Sequence, residues 1–92
     1  MLLLPIKVLA LTIFNYVNGV FTRLNTTMKD ENGNYALGTT LTNQAVIYSL
    51  LDGNVWYGEA IIFGKEYDSM YAPIYDSNNG TLIGSKFSGV PV

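Results

Sequence analysis

The chain contains no cysteine and no histidine. The first absence excludes a disulfide staple and a thiolate metal centre, and the second removes the commonest metal ligand and the usual general base near neutral pH. Most enzyme classes go with them, so the sequence reads as a non-enzyme without a cofactor. Basic residues are also few: five Lys/Arg stand singly against seven Asp/Glu, for a net charge of −2. A nucleic-acid surface needs a clustered basic patch or stripe, so nucleic acid is not expected as a partner. No apolar run reaches the about 20 residues that a bilayer crossing takes. The opening stretch from Met1 to Phe14 is interrupted by Pro5 and Lys7, and neither a basic start nor a small-residue cleavage site frames it as a leader. It is read as a retained, buried strand.

What is present is apolar and aromatic. Hydrophobic residues make up 49% of the 92, with seven Tyr, four Phe and one Trp. One domain over residues 1–92 accommodates this length, with a core limited by the small fraction of surface that so short a chain buries. That apolar content exceeds what a solvated monomer of this size needs, so part of the surface is expected to meet a partner.

Residues 7–16 read as a strand, and Asn18-Gly19 supplies the dipeptide that tight hairpins favour. The second arm, residues 20–28, alternates so that Val20, Thr22, Leu24, Thr26 and Met28 share one face and Phe21, Arg23, Asn25 and Thr27 the other. Lys29 to Gly33 is a polar turn, and the stretch to Thr40 crosses the sheet as a loop. Thr42 is the expected N-cap of a helix over 43–52, with a stripe of Ala45, Tyr48 and either Leu51 or Leu41 and with Gly53 beyond its end. Residues 55–63 form a strand, Gly64-Lys65 a turn, 66–75 a strand, Asp76 to Gly80 a turn and 81–90 the last strand. The sum is an α+β fold, an antiparallel sheet of about five strands with one short helix over it, in the element order of PAS-like domains.

Six stretches carry a more specific likeness: Leu11 to Phe14, Phe21 to Thr27, Asn32 to Thr39, Trp56 to Gly64, Tyr67 to Ile74, and Leu82-Ile-Gly84 through Gly89-Val90. In order and spacing they resemble the single Cache, PAS-like, extracytoplasmic sensor domain of bacterial chemoreceptors and sensor kinases. The resemblance implies a periplasmic or extracellular module that binds a small metabolite, often a short carboxylate, and performs no catalysis. Carried over by position, it implies ligand contacts at Arg23, at Thr39 of the Gly38-Thr39 pair, and at Tyr57, Lys65, Tyr67 and Tyr71. Three departures qualify it. Tyr35 stands where relatives place an arginine before their Ala-x-Gly-Thr. Ser85 to Ser88 makes the last strand more polar and solvent-tolerant than theirs. The transmembrane helix and the long helix on the back of the relatives' sheet are missing from these residues, so membrane attachment is expected only through segments outside them.

From the residues alone, Arg23 either enters a pocket or lies on a solvated sheet face. In a pocket, a guanidinium gripping a carboxylate in a bidentate pair contributes roughly 1.5–3 kcal/mol. Lys65 in a turn is more often merely solvated, strand tyrosines are more often packed than ligating, and Trp56 and Phe63 read as core. The acidic residues show no alternating oxygen-ligand pattern with a distal acid, so no metal site is expected. Two functions remain: a small-molecule sensor module, or a self-associating subunit whose apolar N-terminal segment packs against a second copy in a dimer or fibre.

Overall fold

The computed structural model describes residues 8–92; the opening segment Met1 to Lys7, read above as the start of a buried strand, lies outside the described residues. The elements are β1 (Ala10–Val17), β2 (Val20–Thr26), α1 (Gln44–Leu51), β3 (Trp56–Ile62), β4 (Lys65–Tyr75) and β5 (Leu82–Pro91). They form one antiparallel sheet in the order β2-β1-β5-β4-β3. This is the expected α+β, PAS-like arrangement. The central strand β5 pairs with β1 from the other end of the described chain, and α1 crosses over β3 and β4.

Two hairpins use the same two-residue turn. Asn18-Gly19 joins Val17 to its partner Val20 with φ of 52° and 81°. Phe63-Gly64 joins Ile62 to its partner Lys65 with φ of 50° and 78°. Positive φ at both positions is the type I′ geometry that matches strand twist. The second turn therefore lies one residue earlier than the expected Gly64-Lys65, because pairing of Ile62 with Lys65 takes Phe63 out of the strand.

The expected alternation of β2 fails at one residue. Phe14 faces Arg23 while Ile13 faces Asn25, so Leu24 is an unpaired bulge, 65% exposed. A bulge shifts the phase of every residue beyond it. Phe21 and Arg23 face inward before it, Thr26 and Met28 consequently turn inward after it, and Leu24 is no partner of Met28. The crossing segment then returns along the outer edge of β2: the Arg23 amide donates to Thr39 O (2.8 Å), Gly38 N to Arg23 O (2.8 Å) and Leu41 N to Phe21 O (2.9 Å).

Helix α1 is capped by Asn43 rather than Thr42; the Asn43 side-chain oxygen accepts from Ala45 N (3.1 Å) and Val46 N (3.4 Å). Its buried stripe is Val46 and Leu50, both fully enclosed, whereas Tyr48 (64% exposed) and Leu51 of the expected stripe face outward. So short a helix has no stability of its own, and these two side chains, at about 1.5–3 kcal/mol each, hold it to the sheet. Gly53, at φ 77°, ends it by donating to Leu50 O.

Beneath α1 and the crossing segment, an aromatic row runs across the inner face of the sheet. Ring centroids are 6.4 Å apart for Tyr67 and Phe87, 4.9 Å for Phe87 and Tyr71, and 6.2 Å for Tyr71 and Phe14. The last strand is less solvent-tolerant than its composition suggested: it is central, with Ser85 and Phe87 buried, and of the stretch Ser85 to Ser88 only Lys86 is turned fully outward. On the opposite face Leu11, Ile13, Tyr57, Ile61 and Val90 are exposed.

Candidate functional site

Arg23 is inside by simple alternation with Phe21, and it pairs with Phe14 just before the bulge. Its guanidinium lies between two rings, 4.9 Å from the centroid of Phe14 and 4.9 Å from that of Phe63. Only 5% of the residue is exposed. Nη1 donates to Thr39 Oγ1 and to Thr40 O, each at 3.2 Å, and Thr39 in turn donates its hydroxyl proton to Ala36 O at 2.6 Å. Nε is buried without a hydrogen-bond partner among the described residues. Burial pulls the Arg23 guanidinium below its ordinary pKa, with Tyr71 acting in the other direction. A buried cation satisfied by two neutral oxygens and no carboxylate is an expensive arrangement unless an anion completes it.

The space beside it is a cavity of about 230 Å³, lined by Arg23, Tyr71, Ala60, Ile62, Phe63 and the chain entering α1 from Thr40 to Asn43. Among the described residues, Arg23 is the only charged side chain in this lining. Burial pushes the Tyr71 phenol up to about 12, against the pull of the Arg23 charge. At neutral pH it therefore remains a neutral hydroxyl able to donate.

Phe63 closes one side at a conformational cost. A left-handed backbone at a residue bearing a Cβ costs about 1–2 kcal/mol, least for Asn or Asp. The equivalent position in the first hairpin is Asn18. What Phe63 gains is its ring over the guanidinium, a contact worth about 0.5–2 kcal/mol depending on desolvation.

The structure gathers Arg23, Thr39 and Tyr71 at this place, Thr39 through its bond to Arg23 rather than as a wall of the cavity. Lys65 and Tyr67 line a neighbouring cavity of about 650 Å³ with Ala10, Lys29, Asp30 and Glu31. Tyr57 is on the other side of the sheet, 75% exposed, because Trp56 points inward and strand residues alternate. It does not belong with the other five. Two further depressions, of about 400 and 410 Å³, lie on that outer face around Leu11, Met70 and Val90 and contain no buried cation. Phe63, Thr40 and Asn43 are the site residues that sequence reasoning missed. The signal for Phe63 was available: a Gly following it between two strands marks a two-residue turn.

A family model described as single cache domain 3 matches residues 6–92 of the chain. Neither the curated proteins nor the solved structures yield a match.

Proposed function

Because the chain belongs to the single Cache domain family, whose domains are generally extracytoplasmic and associated with small-molecule sensing, we propose that it is the input module of a chemoreceptor or sensor kinase and that it binds a short carboxylate at Arg23. The observation that carries this reading is the buried guanidinium whose Nε has no partner, and whose cavity contains no acid, among the described residues. A carboxylate there supplies the missing acceptor and charge, and the Tyr71 hydroxyl is a second donor within the same lining. The domain acts by binding, not by catalysis. The test is a thermal-shift and calorimetric screen of small organic acids. A ligand at 100 times its Kd adds about 2.7 kcal/mol, several degrees for a domain of this size. No shift from any acid with well-folded protein refutes the reading.

A second reading concerns the other face of the sheet. Leu11, Ile13, Ile61 and Val90 are exposed there, while Lys86 stands apart from the cross-strand neighbours Glu59 and Asp68. A surface that carries both signs at separate positions complements itself in a two-fold arrangement, so a second copy is the occupant we assign to it.

A further inference from the structure

We infer that Phe63 sets the length of the carboxylate tail that the Arg23 site accepts; this rests on the anion reading given above. The Arg23 cavity, at about 230 Å³, is smaller than the roughly 300–1,000 Å³ of ordinary ligand pockets. With Arg23 as its one charged lining residue among those described, it offers no cation to a second carboxylate and no acid to an ammonium group. A second carboxylate or an ammonium group therefore meets no group of opposite charge in the lining and gains nothing there over a single carboxylate. The carboxylate end belongs at Arg23 and Tyr71, and the tail meets Ala60 and Ile62.

What stops the tail is Phe63. Ile62 and Phe63 line both the Arg23 cavity and the 650 Å³ cavity beyond. Ile62 is fixed in β3 as buried core, whereas Phe63 sits half-buried in the turn that follows. Its ring is therefore the removable partition between the two spaces. The turn itself gives no reason for a phenylalanine, since φ of 50° before a glycine is met without strain by asparagine, as at Asn18. The ring's place against Arg23 is the reason that remains. Beyond the partition the lining includes Ala10 and Pro91, and its charges balance, Lys29 and Lys65 against Asp30 and Glu31. Opening it admits a longer tail without favouring a second charge.

The experiment is calorimetric titration of the full chain and of Phe63→Asn and Phe63→Gly with acetate, propionate, hexanoate and octanoate. Both substitutions suit the left-handed backbone, and Gly needs no side-chain accommodation at all, so the pair guards against loss of fold. The parent is expected to bind acetate or propionate and to weaken sharply with hexanoate. The variants are expected to gain on the longer acids by about fourfold for each methylene that enters the opened space. If the parent binds short carboxylates and both variants keep its chain-length profile, Phe63 is no gauge and the inference fails while the anion site stands. If the parent prefers octanoate, the inference fails equally. If the parent binds no carboxylate, the anion reading fails and takes this inference with it.

Discussion

Trp56 meets the ring of Tyr71 edge-on, with centroids 6.0 Å apart and planes at 67°. The chain has one tryptophan, and its neighbour lines the Arg23 cavity. Ligand entry should therefore change the intrinsic fluorescence of the protein in a saturable way, with a midpoint equal to the calorimetric Kd. Binding measured by calorimetry with a flat fluorescence titration would place the ligand away from Tyr71.

Arg23→Met separates stability from binding. A buried cation held by neutral acceptors contributes little to folding, and a methionine of similar volume removes its desolvation penalty. We expect the variant to unfold at higher urea concentration than the parent, by about 1–2 kcal/mol, while losing carboxylate binding. A large destabilisation would show that the bonds to Thr39 and Thr40 outweigh the cost of burying the charge.

Tyr71 makes the fold sensitive to alkali. Its pKa is raised from the ordinary 10.0 to about 12, so the folded protein keeps a proton that the unfolded chain releases. The stabilising effect is complete below pH 10 and is lost as pH rises from 10 through 12, amounting to roughly 2–3 kcal/mol at the alkaline end. Urea midpoints measured across that range should fall more steeply for the parent than for Tyr71→Phe. Equal slopes would mean that Tyr71 titrates normally.

The outer-face reading is checked by mass. At high micromolar concentration light scattering should give more than the 10.1 kDa of one chain, and Lys86→Glu should return it to a monomer by placing like charges across the interface. A parent mass of one chain overturns the assignment.

Element order was legible because turn chemistry punctuates this sequence: Asn18-Gly19 and the Asp76 to Gly80 run separate strands, the Asp30 to Gly33 run opens the crossing to α1, and Gly53 stops the helix. Facing was less legible. An extra residue in a strand leaves no compositional trace, so the Leu24 bulge, and with it the inward turn of Thr26, had to come from pairing. In α1 the sets Ala45, Tyr48, Leu51 and Val46, Leu50 both fit helical spacing, and only the sheet beneath decides between them. Phe63 looked like strand because phenylalanine favours strands, and the conformation that contradicts this is set by the hairpin. Of the site, Arg23 and Tyr71 share a cavity only once the sheet is assembled, β4 lying two strands away from β1, which carries Arg23's partner Phe14.

That same strand order has a consequence for synthesis. β1 is hydrogen-bonded to β5, with Ala10 opposite Gly89 and Asn15 opposite Gly84. A ribosome delivering the chain from its N-terminus releases β1 and β2 as a lone hairpin, marginal in water, and Phe14 must wait for Phe87 and Tyr71. Domain formation is thus a single late event rather than a progressive one. Until β5 emerges, the nascent domain presents an unpaired β1 edge, the kind of surface to which holding chaperones bind.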